Sequence, residues 1–210
     1  MFGTELVYTV VIMVLCLVIY YKTKEMYDLT KYTGINYFRN AFLFFGLAYI
    51  VRFLLHMMMI SRVSFDLFLP MRQLMAPLLA LIGYFSTMAI FCLVYSLVWK
   101  KIAVRRFLWF SHSIAITISL ATVLTHSHFI LAMLQFVLLL FAAILSFAMH
   151  QKSRKSHMRL LYILVVLFWL LNLYLIGPRR FVPFELNLLF QALSLVVFLL
   201  IYRKVTKWVQ

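Results

Sequence analysis

Acidic residues are scarce in this sequence. Its 210 residues include 5 Asp and Glu against 20 Lys and Arg, a formal net charge of +15. Paired carboxylates within apolar segments are absent, as are HExxH and GxSxG, which argues against membrane proteases and pumps. Glycine is limited to 5 residues, and no GxxxG pair occurs. Close helix approach is therefore expected to use Ala and Ser. Scarce glycine also argues against carriers built on broken helices, which place Gly or Pro near mid-membrane. Of the 4 prolines, Pro77 falls near the start of an apolar run, where a kink is expected. The 2 cysteines, Cys16 and Cys92, both lie in apolar runs with neither CxxC nor metal-type spacing. They read as buried, inert thiols. Pro-rich, Gly/Ser-rich and low-complexity segments are missing, and no internal repeat is evident.

Apolar side chains dominate what remains. Hydrophobic residues make up 66% and aromatic residues 18%, and the mean hydropathy is +1.03. Soluble domains run at about 45–50% apolar, so a soluble chain of this length has too little polar surface to cover such a core. The reading is an all-α membrane protein, a single bundle of seven transmembrane helices over 1–210. The expected spans are 4–21, 36–58, 73–99, 107–124, 129–149, 158–176 and 185–202. Glu5 precedes the first apolar run and lysines follow it, the reverse of a cleavable signal peptide, so an uncleaved first span is expected.

Basic residues orient the bundle. One set of alternate connections holds Lys22, Lys24, Lys31, Arg39, Lys100, Lys101, Arg105, Arg106, Lys152, Arg154, Lys155, Arg159, Arg203, Lys204 and Lys207. The other holds Arg52, Arg62, Arg72, Arg179 and Arg180. The asymmetry places the first set on the cytoplasmic side, with the N-terminus outside and the C-terminus inside. Trp99, Trp109 and Trp208 fall at the same expected inner ends, as an interfacial belt would, while Trp169 lies within the sixth span. The charge thus reads as topology in a cell-membrane protein rather than as a nucleic-acid surface. Anionic headgroups are the expected partners of the inner loops.

Polar residues inside the spans are the candidate functional set. Arg39 lies at the inner end of the second span, where it can snorkel as an anchor. Arg52 follows thirteen residues later, about 20 Å along a helix, which puts it in the outer third of the bilayer. His56 is one turn further on the same face. Gln135, Asn172, Glu185, Asn187, Gln191, Glu5 and Tyr8 fall at similar depth on other spans. Two readings stay open. These groups pair with one another, Arg52 meeting Glu5, Asp66 or Glu185. Alternatively they line an outward cavity for a small polar or anionic ligand, with Arg52 supplying charge and His56 proton sensitivity. Glu185 has a simpler explanation too, as an acid in a first helical turn after Pro183. In the inner half, His112 and a Ser113–Thr117 stripe are the main polar features. His126 and His128 form an H-x-H pair in an outer loop, but nothing fixes further ligands for a metal. No cofactor motif is present. The segment 22–38, "KTKEMYDLTKYTGINYF", reads as the longest inner loop, able to lie on headgroups or dock a partner.

Known seven-span classes fit poorly. Rhodopsins need a lysine within the seventh helix, whereas Lys204 and Lys207 lie beyond it. The PQ dipeptide of PQ-loop carriers is missing, and the last span lacks the histidines of the ceramidase and adiponectin-receptor group. The stretch "IYYKTKEMYDLTKYTGINYFRNAFLFFGLAYIVRFL" (19–54) resembles the end of the first helix and the second helix of seven-helix sensor regions of archaeal and bacterial signalling proteins. The shared traits are a Lys/Thr-bearing inner loop, the "YFRNAF" entry and an arginine towards the far end. The resemblance spans about a sixth of the chain. It implies a sensor-like or scaffold protein, and because only eight residues follow the last span, output is expected to pass through a separate cytoplasmic partner. A small-solute or ion transporter or channel subunit is the alternative, and a membrane-embedded enzyme the third.

Overall fold

The computed structural model describes residues 2–65, 71–100, 103–125, 128–150, 156–176 and 184–209. They form seven helices: α1 (Phe2–Thr30), α2 (Thr33–Phe65), α3 (Met71–Val98), α4 (Val104–Thr125), α5 (His128–His150), α6 (Ser156–Ile176) and α7 (Phe184–Val209). Each expected span lies within one helix, except that 73–99 runs one residue past α3. Six helices are long and apolar enough to cross a membrane, and α6 carries a shorter apolar stretch, Leu160–Leu173. Helix α3 continues through Pro77.

The stretch 22–38 is not a loop. Helix α1 runs on to Thr30 and α2 begins at Thr33. Lys, Glu and Met are good helix formers, so polarity alone does not end the helix. Lys22 pairs with Glu25 at 3.4 Å, while Met26 is buried against the bundle. The break falls at Lys31, whose φ of 51° is left-handed. Its amide donates to the Tyr27 carbonyl at 2.7 Å, closing the last turn of α1 as a left-handed cap does.

Sequential helices pack as neighbours around a ring. Helix α7 returns to α1, and α3 also reaches across to α5. Large rings fill the centre. Phe45 sits 5.2 Å from Phe168 and 5.4 Å from Trp169, and Phe168 lies 4.5 Å from Phe198, centroid to centroid. These contacts join α2, α6 and α7, and edge-to-face pairs of this kind add about 0.5–1.5 kcal/mol beyond burial. Trp169 is therefore core, whereas Trp109 is exposed on α4. Close approach uses serine with the few glycines. Ser119 donates its hydroxyl to the Ala80 carbonyl at 2.7 Å, and a Cβ on Gly83 would stand 3.5 Å from the Ser119 Cα. Gly46 faces Cys16 on α1, and both cysteines are buried.

Candidate functional site

Many of the buried polar groups lie in the half of the bundle where α1 begins, in three clusters, while others such as Thr23, Ser96 and Ser111 lie towards the opposite end. The first joins α1 and α2. Nε2 of His56 lies 3.2 Å from Oε2 of Glu5, and Nδ1 of the same ring lies 2.8 Å from the Arg52 carbonyl oxygen. Both side chains are buried. The two ring nitrogens thus both face oxygens. Satisfying both takes either an imidazolium beside a carboxylate, or a neutral ring accepting from a protonated Glu5. The Thr9 hydroxyl donates to the Glu5 carbonyl at 2.7 Å within the first turns of α1.

The second cluster centres on Asn172 of α6. Its Oδ1 accepts from the Tyr8 hydroxyl at 2.9 Å and from the Tyr49 hydroxyl. Its Nδ2 donates to the Phe168 carbonyl at 2.8 Å and to Ser194 Oγ at 3.2 Å, while Tyr8 and Ser194 hydroxyls lie 2.8 Å apart. One amide therefore ties together α1, α2, α6 and α7. In the third cluster, Gln135 of α5 donates to the Ser86 hydroxyl on α3 and, at 3.5 Å, to Thr87 Oγ1. Ser86 passes its own proton to the Ile82 carbonyl at 2.6 Å.

Arg52 stands between the second and third clusters. Its guanidinium sits 4.9 Å from the Tyr49 ring centroid, a cation–π contact. It makes no salt bridge and no hydrogen bond among the described residues. The expected pairing of Arg52 with an acid does not occur there: Glu5 pairs with His56, Glu185 is exposed in the first turn of α7, and Asp66 lies outside the described residues. Arg52 instead borders a cavity shared with Tyr49, Ser86, Gln135, Trp169 and Asn172. The space open to the centre of a water-sized sphere is about 20 Å³. One water needs roughly 10–15 Å³ on that measure, so the cavity suits one small species.

Five of the seven candidate residues thus fall into this layer: Glu5, Arg52, His56, Gln135 and Asn172. Gln191 is buried one turn from Ser194 but makes no hydrogen bond among the described residues. Glu185 does not join them. Its place at a helix N-terminus, where the macrodipole favours an acid, accounts for it. Tyr49, Ser86, Thr87 and Ser194 escaped the sequence reading. Tyr49 and Ser194 stand one turn from Arg52 and Gln191, so helical spacing from the flagged residues would have found them.

Elsewhere, Arg39 lies in the second turn of α2. It packs 5.1 Å from the Tyr20 ring and 5.4 Å from the Tyr27 ring, and donates to Asn36 Oδ1 at 2.7 Å. His112 Nδ1 meets the Tyr84 hydroxyl at 2.7 Å between α4 and α3. Ser113 and Thr117 face outward, Thr117 bonding the Ser113 carbonyl within its own helix. His126 lies outside the described residues.

Long apolar helices with their polar groups joined inside the bundle define a multi-pass α-helical membrane protein. No family model matches the chain, and no solved structure matches it. It is 34% identical over 211 residues to a protein of Archaeoglobus fulgidus described as an uncharacterized protein, with 98% of this chain and 92% of that one covered. The chain belongs to the same family as that archaeal protein.

Proposed function

We propose that this is a seven-span, sensor-type protein of the cell membrane, with its N-terminus outside and its polar layer as the receiving site. The observation that carries this reading is Arg52. It is a permanent charge, half-buried beside buried polar groups that are largely joined to one another, and it borders a cavity of about 20 Å³. A space of that size suits reception of one small species better than passage of a solute. The clusters also tie α1, α2, α6 and α7 to one amide, so a change at the layer can be felt by four helices. The basic ends of these helices would then meet anionic headgroups and a cytoplasmic signalling partner.

The test places spin labels at Lys100 and Arg203, near the ends of α3 and α7, in protein reconstituted into nanodiscs. Distances are measured across outer pH and salt composition. A distance change in the parent protein that Arg52→Gln removes supports sensing. Fixed distances, together with solute flux in proteoliposomes that Arg52→Gln abolishes, would replace sensing with transport.

A further inference from the structure

We infer that the cavity beside Arg52 is a binding site for one weakly hydrated, monovalent inorganic anion of about bromide or nitrate size. The inference rests on the reading of the polar layer as a receiving site, and it names the ligand class.

Charge is the first ground. Arginine does not deprotonate in proteins, and a charge within the membrane interior is costly unless it is balanced. The neighbouring Glu5 carboxyl faces His56 at 3.2 Å and forms no ion pair with Arg52. It does not balance Arg52 directly. An anion in the adjoining cavity does, and a cation there is repelled.

Donor geometry is the second ground. Asn172 has given both amide hydrogens to Phe168 and Ser194, and Tyr8 and Tyr49 give theirs to Asn172. Ser86 gives its proton to the Ile82 carbonyl. Uncommitted donors among the lining residues are the Arg52 guanidinium, with five N–H groups, and the Trp169 indole N–H. The Gln135 bond to Thr87, at 3.5 Å, is long enough to be exchanged for a ligand. One cationic donor group in an otherwise largely apolar wall selects an acceptor-only ligand.

Size and polarity set the class. The space of about 20 Å³ admits a monatomic or small planar ion and disfavours tetrahedral oxyanions and organic acids. Trp169 and other apolar side chains form much of the wall. Ions that part easily from water, such as bromide and nitrate, are favoured over fluoride, because a dry wall does not replace a lost hydration shell.

Trp169 also supplies the reporter. In the variant Trp99→Phe/Trp109→Phe/Trp208→Phe, Trp169 is the remaining tryptophan. Purified protein is titrated with sodium bromide against sodium gluconate at constant ionic strength, and Trp169 emission is read. The expected result is a saturable change with bromide and none with gluconate. Arg52→Gln weakens the response by about tenfold or more, and Arg52→Lys retains it in part. Should Arg52→Gln fail to fold by size exclusion, Ala48→Leu, which fills the cavity from α2, is expected to abolish saturation with Arg52 intact. Linear quenching, or saturation equal in the parent and in whichever of these variants folds, overturns the site. If the spin-label distances respond to outer conditions while bromide does not bind, the anion site falls and the sensor reading stands. If bromide saturates while those distances stay fixed, the sensor reading falls and the anion site stands.

Discussion

Oε2 of Glu5 lies 3.2 Å from Nε2 of His56, joining α1 to α2 across 51 residues of sequence. Both residues are only 5% exposed, so each loses water and gains the other. Breaking a buried pair costs about 3–5 kcal/mol in soluble proteins. Polar contacts between membrane helices average only about 0.6 kcal/mol, because the unfolded helices also find partners. A double-mutant cycle with Glu5→Leu and His56→Leu decides between these scales. The expected coupling is about 1–2 kcal/mol by unfolding in mixed detergent micelles, between those two scales; the bond from His56 to the Arg52 carbonyl cancels in the cycle. Additivity within about 0.3–0.5 kcal/mol would show that the contact holds nothing together.

Asn172 is expected to be the most sensitive neutral position in the layer. Asn172→Leu leaves the buried Tyr49 hydroxyl without its acceptor, while Tyr8 keeps the Ser194 hydroxyl. An unsatisfied buried group costs about 1–3 kcal/mol, whereas removing a hydroxyl together with its need for a partner costs about 1 kcal/mol. Asn172→Leu should therefore lower stability clearly more than Tyr49→Phe. Adding Tyr49→Phe to Asn172→Leu should recover part of the loss. Thermal denaturation of the four proteins in one detergent checks the order.

The membrane character was legible in the sequence because apolar runs of span length leave few alternatives. The extent of the helices was less so. Lys22, Lys24 and Glu25 marked the edge of an apolar run, but a helix ends where its hydrogen bonds end, and that happens at Lys31. In the site, helical spacing was enough to put Arg52 and His56 on one face. It could not say which helix supplies the partner of each. Glu5 was expected near Arg52 and meets His56 one turn away, a choice set by the packing of α1 on α2. Tyr49 and Ser194 passed unnoticed because tyrosine and serine are ordinary in spans. Their role depends on Asn172, which stands 123 residues from Tyr49 and 22 from Ser194.

The α1–α2 junction gives two substitutions of opposite sign. Lys31 holds a left-handed φ of 51° without being glycine, which costs about 1–2 kcal/mol in an L-residue. Its exposed contact with Asp28, at 3.8 Å, offsets little of that. Lys31→Gly should raise stability by about 1 kcal/mol. Gly34 is the reverse case. A Cβ there would stand 2.7 Å from Tyr32 Cε1, 3.0 Å from Trp99 Nε1 and 3.1 Å from the Ser96 carbonyl oxygen. The Tyr32 ring can turn away, but the backbone oxygen cannot, so Gly34→Ala should cost about 1–3 kcal/mol. Equal melting temperatures for the two variants would contradict both accounts.

Orientation is the prediction on which the placing of the receiving site depends. Cys16 and Cys92 are buried, so an impermeant maleimide should label the native chain weakly in intact cells. Thr125, at the end of α4, and Lys207, in the last turn of α7, are both exposed and lie on opposite faces of the membrane under the proposed topology. With the N-terminus outside, Thr125→Cys should be labelled in intact cells and Lys207→Cys only after permeabilisation. The fifteen basic residues assigned to the inner set favour this orientation. The opposite labelling pattern would put the Arg52 cavity near the cytoplasmic face. The anion site could survive that result, but reception from outside could not.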